Sequence, residues 1–160
     1  MREILFRGKR KDTSEWTEGL TVFKLDKYVY MCKSSMCEIT YDLQHNIKAI
    51  TSKNPFFVEV IPETVGQFTG LTDKNGVKIF EGDILKTRKY GKISDNIIVN
   101  GFDTFAVIYK PCMFRLVNRN RRFNFVNIRR DLEVIGNVHD NPELLGGDKN
   151  ELDRRRPNQI

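Results

Sequence analysis

Apolar residues in this chain mostly alternate with polar ones or sit in short blocks, and β-branched and aromatic side chains dominate those blocks. That pattern belongs to strands that bury one face, not to helices. Glu3 to Arg7 reads as a first strand, with a turn at Gly8 to Asp12 and a partner at Trp16 to Leu25. Tyr28 to Cys32 and Met36 to Tyr41 flank Lys33-Ser34-Ser35 as a short hairpin, and Phe56 to Ile61 is a further strand that Pro62 ends. Asp73-Lys74-Asn75-Gly76 predicts a type I′ hairpin turn, since Asn-Gly tolerates positive φ at both central positions. Val77, Ile79 and Phe80 then lead into Glu81 to Lys86, with a bend at Gly82.

Further along, Ile97 to Val99 and Phe105 to Tyr109 read as two strands divided by Asn100-Gly101. Phe114 to Val117 and Phe123 to Val126 pair across Asn118 to Arg122, and Leu132 to Val138 closes the set. One short helix has start chemistry: Asn141 as cap, Pro142 at the first helical position, Glu143 at the positive end of the dipole, and Gly146-Gly147 as the stop. The fold class expected is mainly β, with an N-terminal β-rich portion over 1–60 followed by a second β portion over 61–146. A charged, mobile tail is expected at 147–160.

Composition narrows the function classes. A chain of 160 residues, 39% hydrophobic and 30% charged, is long enough for its own core and too apolar for full disorder. No apolar run approaches the roughly 20 residues of a membrane-spanning helix, and MREILFRGKRK lacks the apolar stretch of a secretory signal. No membrane association and a cytoplasmic location follow as expectations. Three cysteines, an odd count, argue against a disulfide framework. Cys32, Cys37 and His45 with Cys112 could be assembled into a zinc site. Structural sites prefer tight Cys pairs, however, so the cysteines read as small strand residues and no metal is expected.

Charge is uneven. Residues 86–130 carry eleven Lys/Arg against two acids, a net +9, while 131–153 carry one against seven, a net −6. The densest part, 119–130, holds five arginines and no acid. Such a stripe attracts polyanions or an acidic protein surface, whereas its bland counterpart is a solvated hairpin in a basic protein. Phe123 and Phe125 alternate on the same strand. They read as inward core residues, which leaves the neighbouring arginines outward; the other arrangement is rings that stack bases beside guanidinium groups.

Catalytic chemistry finds little support. His45 and His139 are the only histidines, and no nucleophile elbow, Walker motif or dinucleotide fingerprint occurs. Glu81 and Asp83 would share a strand face and so could hold Mg²⁺ or act as acid and base, but two carboxylates beside a glycine are more simply bend chemistry. No enzyme activity and no cofactor are expected.

Three segments together carry a resemblance: MREILFRGKR with Trp16 following, VIPETVGQFTGLTDKNGVKIFEGDILK at 60–86, and EVIGNVHDNPELL at 133–145. The chain resembles the YopX family of bacteriophage and prophage proteins over residue 1 to about 145. Residues 24–54 and the arginine-rich hairpin at 118–130 follow no family pattern. The resemblance implies a small SH3-like barrel in the C-terminal half, a phage origin and life in the host cytoplasm. It implies no activity and supplies no site residues. The function expected is that of a non-enzymatic phage accessory protein. It would bind an anionic partner, nucleic acid first, through Arg115, Arg119, Arg121, Arg122, Arg129 and Arg130. The alternatives are an inhibitor or adaptor that docks on an acidic host protein, a sponge for a nucleotide signal, and a homo-oligomeric scaffold.

Overall fold

Alternation sets which side of each strand faces inward. In Phe57–Val60, Val58 and Val60 are buried while Phe57 and Glu59 are half-exposed. The computed structural model describes residues 3–25, 27–33, 40–41, 47–49, 57–93, 96–111, 113–118, 121–125 and 131–145. Among these, fourteen strands form: β1 Phe6–Lys9, β2 Trp16–Gly19, β3 Thr21–Leu25, β4 Tyr28–Cys32, β5 Thr40–Tyr41, β6 Ile47–Ala49, β7 Phe57–Val60, β8 Gly66–Thr72, β9 Lys78–Phe80, β10 Asp83–Ile93, β11 Asn96–Lys110, β12 Met113–Asn118, β13 Arg121–Asn124 and β14 Glu133–Asn137. The protein is mainly β, as the alternation implies.

The chain divides into two compact units, Met1–Leu71 with Lys78–Glu81 and Thr72–Val77 with Gly82–Ile160. In the first unit a four-stranded sheet of order β2-β1-β8-β9 accompanies a three-stranded sheet of order β3-β4-β7 and the small pair β5-β6. Met31, Val58 and Val60 form a core with Phe6, Val22, Val29 and Val65 against it. The backbone of β2 approaches this core so closely that a Cβ at Gly19 would lie 2.3 Å from Met31 Cγ and 2.7 Å from the Cys32 carbonyl oxygen. Only a residue without a side chain fits there. A second cluster joins Leu5, Phe68 and Phe80, with the Phe68 and Phe80 rings 5.5 Å apart.

The second unit is a five-stranded antiparallel sheet of order β13-β12-β11-β10-β14, curled into half a barrel. Leu85 opposes Phe105, Val107 opposes Leu116, and Leu116 opposes Phe123, which places these side chains on one face. The Phe105 and Phe123 rings meet edge to face at 5.4 Å. Phe123 is half-buried and Phe125 is buried, so both phenylalanines of the arginine-rich hairpin turn to the core side.

Several local expectations are corrected. Asn100-Gly101 does not divide two strands. It lies within β11, where two residues of β11, Asn100 and Gly101, face one of β10, Lys89, between the pairs Arg88–Phe102 and Tyr90–Val99, and the extra residue is absorbed as a bulge. The turn after Asp73 is not type I′. Gly76 alone takes positive φ, 82°, and its amide donates to the Asp73 carbonyl at 3.1 Å. That is the arrangement of a type I turn closed by a left-handed glycine. The C-terminal helix is a 3-10 turn at Pro142–Leu145, because four residues are too few for an α-helical ladder. Asn141 does not cap it through its side chain; Asn141 Oδ1 accepts from the Asn137 amide at 3.4 Å. Cys32 is buried and disulfide-bonded, not a free strand thiol, with its partner outside the described residues. No helix among the described residues is long and apolar enough to cross a membrane.

Candidate functional site

Antiparallel pairing puts directly opposed residues on the same face of a sheet. Ile108 opposes Arg115 and Val117 opposes Arg122, so these side chains share the face opposite to that of Val107, Leu116 and Phe123. With Lys110, two positions beyond Ile108, they line a small groove. Ile108 and Val117 are half-buried, and Lys110 and Arg122 are exposed. The Arg115 Nε donates to Met113 Sδ at 3.2 Å, which steadies the guanidinium near the β11–β12 turn.

The other end of the same face is covered. Thr104 Oγ1 donates to the Leu144 carbonyl at 3.1 Å, and the Leu144 side chain lies against Gly136 of β14. Ile84 and Ala106, which oppose one another on this face, are buried. The 3-10 turn at Pro142–Leu145 thus packs on β11 and β14, while Lys110 and Arg122 at the other end of this face are exposed.

Among the described residues no carboxylate lines the groove. The contrast with other cations is direct: Arg10 pairs with Asp12, Lys11 with Glu59, Lys74 with Glu133, and Lys78 with Glu3 and Glu18. Three cations together, with no carboxylate against them among the described residues, give this half of the sheet a concentrated positive field.

Of the six arginines singled out by sequence, the structure brings Arg115 and Arg122 into one groove. Arg121 is not a loop residue; it belongs to β13 and opposes Asn118. Arg119, Arg129 and Arg130 lie outside the described residues. Lys110 was not singled out, although its position two residues after Ile108 in a basic segment was a usable signal. Cys37, Cys112 and His45 of the assembled zinc site lie outside the described residues, and Cys32 is committed to its disulfide. Among the described residues no three His, Cys, Asp or Glu side chains cluster as a metal would require. Asp83 is buried with the Asn137 amide nitrogen 3.4 Å away, and Glu81 occupies the turn before it.

A family model described as YopX protein matches residues 5–146, most of the chain. The chain belongs to the YopX family. No curated protein matches it. Among solved structures, this YopX-family chain is similar to protein EF1440 from Enterococcus faecalis. The two share 27% identity over 89% of this chain and 97% of that one, with a TM-score of 0.51.

Proposed function

We propose that this YopX-family protein is a non-enzymatic phage accessory protein that binds nucleic acid through the β11–β12–β13 half of its five-stranded sheet. The observation that carries this reading is the groove in which Lys110, Arg115 and Arg122 converge with no carboxylate among the described residues that line it. Guanidinium and ammonium groups spaced along a sheet contact successive phosphates, and each contact releases condensed counterions. Arg119, Arg121, Arg129 and Arg130 belong to the same basic segment and extend the contact in this reading. Binding to labelled duplex and single-stranded oligonucleotides, measured at several salt concentrations, tests it. Affinity is expected to fall steeply with salt and with Arg115→Ala plus Arg122→Ala. Salt-independent binding, or none, counts against it.

A second reading rests on Ile108 and Val117, the aliphatic floor of the same groove. A mixed cationic and aliphatic groove also suits an acidic segment of a host protein, and a host inhibitor or adaptor would dock that way. Pull-down from nuclease-treated host lysate separates the two: a stoichiometric protein partner that survives nuclease favours the second.

A further inference from the structure

The three-stranded sheet of the first unit turns one face to the Met31, Val58 and Val60 core. Its opposite face is aromatic. Phe23 opposes Tyr30, and Tyr30 opposes Glu59; Leu25 opposes Tyr28, and Cys32 opposes Phe57. The Phe23 and Tyr30 rings are stacked at 5.8 Å with 20° between their planes. Phe57 meets Phe23 edge-on at 5.6 Å, and Tyr28 lies 6.4 Å from Tyr30. All four rings are half-buried and so keep part of their surface open to solvent.

Cations border this face. The Lys11 Nζ lies 5.0 Å from the Tyr28 ring centre and the Lys27 Nζ 5.3 Å from it. The one carboxylate among these side chains, Glu59, is ion-paired with Lys11. A sugar-binding aromatic face would need carboxylates or amides free to bond hydroxyls, and here the carboxylate is engaged. Rings bordered by ammonium groups instead match bases and phosphates. Each base offers a π-face to a ring whatever its sequence, and the Lys27 ammonium meets the backbone.

We infer that the outer face of β3-β4-β7, with Phe23, Tyr28, Tyr30 and Phe57 as rings and Lys27 as a phosphate contact, is a stacking platform for unpaired nucleic-acid bases. This rests on the reading of the chain as a nucleic-acid binder, and it assigns single-strand recognition to a surface other than the groove.

The test measures binding of the full chain to an oligothymidylate of about 12 nucleotides and to a duplex of the same length. Phe23→Leu with Tyr30→Leu keeps apolar volume and removes the rings. It is expected to weaken oligothymidylate binding about tenfold or more while duplex binding holds. Tyr30→Phe keeps the ring and is expected to bind as the wild type does. Photocrosslinking of the wild-type protein to an iodouracil-substituted oligonucleotide, followed by peptide mapping, needs no variant to fold. Crosslinks are expected in peptides containing Phe23, Tyr28, Tyr30 or Phe57. Crosslinks confined to β11–β13, or full oligothymidylate binding by the leucine variant, overturn the platform and leave the groove standing. If the wild type binds neither strand type, the platform and the nucleic-acid function fall together.

Discussion

The Asp73 carboxylate accepts a hydrogen bond from the Val134 backbone amide at 3.0 Å, across 61 positions of sequence. Its other oxygen takes the amides of Asn75 at 2.7 Å and Val77 at 2.9 Å. One buried side chain therefore closes the turn at 73–77 and fastens it to β14. The Lys74 amide adds a bond to the Leu132 carbonyl, and the Lys74 ammonium pairs with Glu133.

Asp73→Asn keeps the size but turns an NH₂ toward at least one of these three donors. It is expected to destabilise the protein by about 1–3 kcal/mol, read as a lower urea midpoint.

The same site sets a pH dependence. Burial alone pushes the Asp73 carboxyl up, but the amides of Val134, Val77 and Asn75, with the Lys74 charge, outweigh it and hold the group below its ordinary range. A folded value below the unfolded one means the stabilisation is complete above the unfolded carboxylate pKa and is lost as pH falls through the folded one. Thermal melts from about pH 6 to pH 3 should show the gap between wild type and Asp73→Asn narrowing toward acid. A gap constant across that range would contradict this role.

Gly19→Ala introduces a Cβ into space held by Met31 and the Cys32 carbonyl. Overpacking there is expected to cost about 1–3 kcal/mol, and Met31→Ala alone about 2–5 kcal/mol through the cavity it leaves. Because the two changes share one space, the double variant should be less destabilised than the summed single effects. Chemical denaturation of the four proteins measures this coupling, and simple additivity would argue against the close approach.

The inward face of β7 is legible in the sequence because period-two alternation and burial coincide there. Phe123 and Phe125 also read correctly as core-side: the half-buried Phe123 ring meets Phe105, and Phe125, just beyond β13, is buried. What escaped the sequence depends on pairing between distant strands. Asn100-Gly101 looks like a break until the β10 register shows a bulge. The passage of 72–77 into one unit and of 78–81 back into the other leaves no mark in local composition. Lys110 joins Arg115 and Arg122 only because β11 and β12 pair as they do. The aromatic face is equally hidden, because Phe57 lies far along the chain from Phe23, whose ring it meets.

Lys74→Ala supplies a control for the groove. Lys74 is basic and partly exposed, yet it is neutralised by Glu133. Its removal is expected to leave nucleic-acid affinity and salt response unchanged, as read by fluorescence anisotropy. Lys110→Ala should weaken binding and lower the salt slope by about 0.9 if it meets one phosphate of a duplex.

The most direct test of the nucleic-acid interface is the slope of log affinity against log salt for duplex DNA, compared between the wild type and Arg115→Ala/Arg122→Ala. Two lost phosphate contacts predict a slope shallower by about 1.8, with weaker binding at every salt concentration. Equal slopes in the two proteins would contradict the assignment of the groove to nucleic acid.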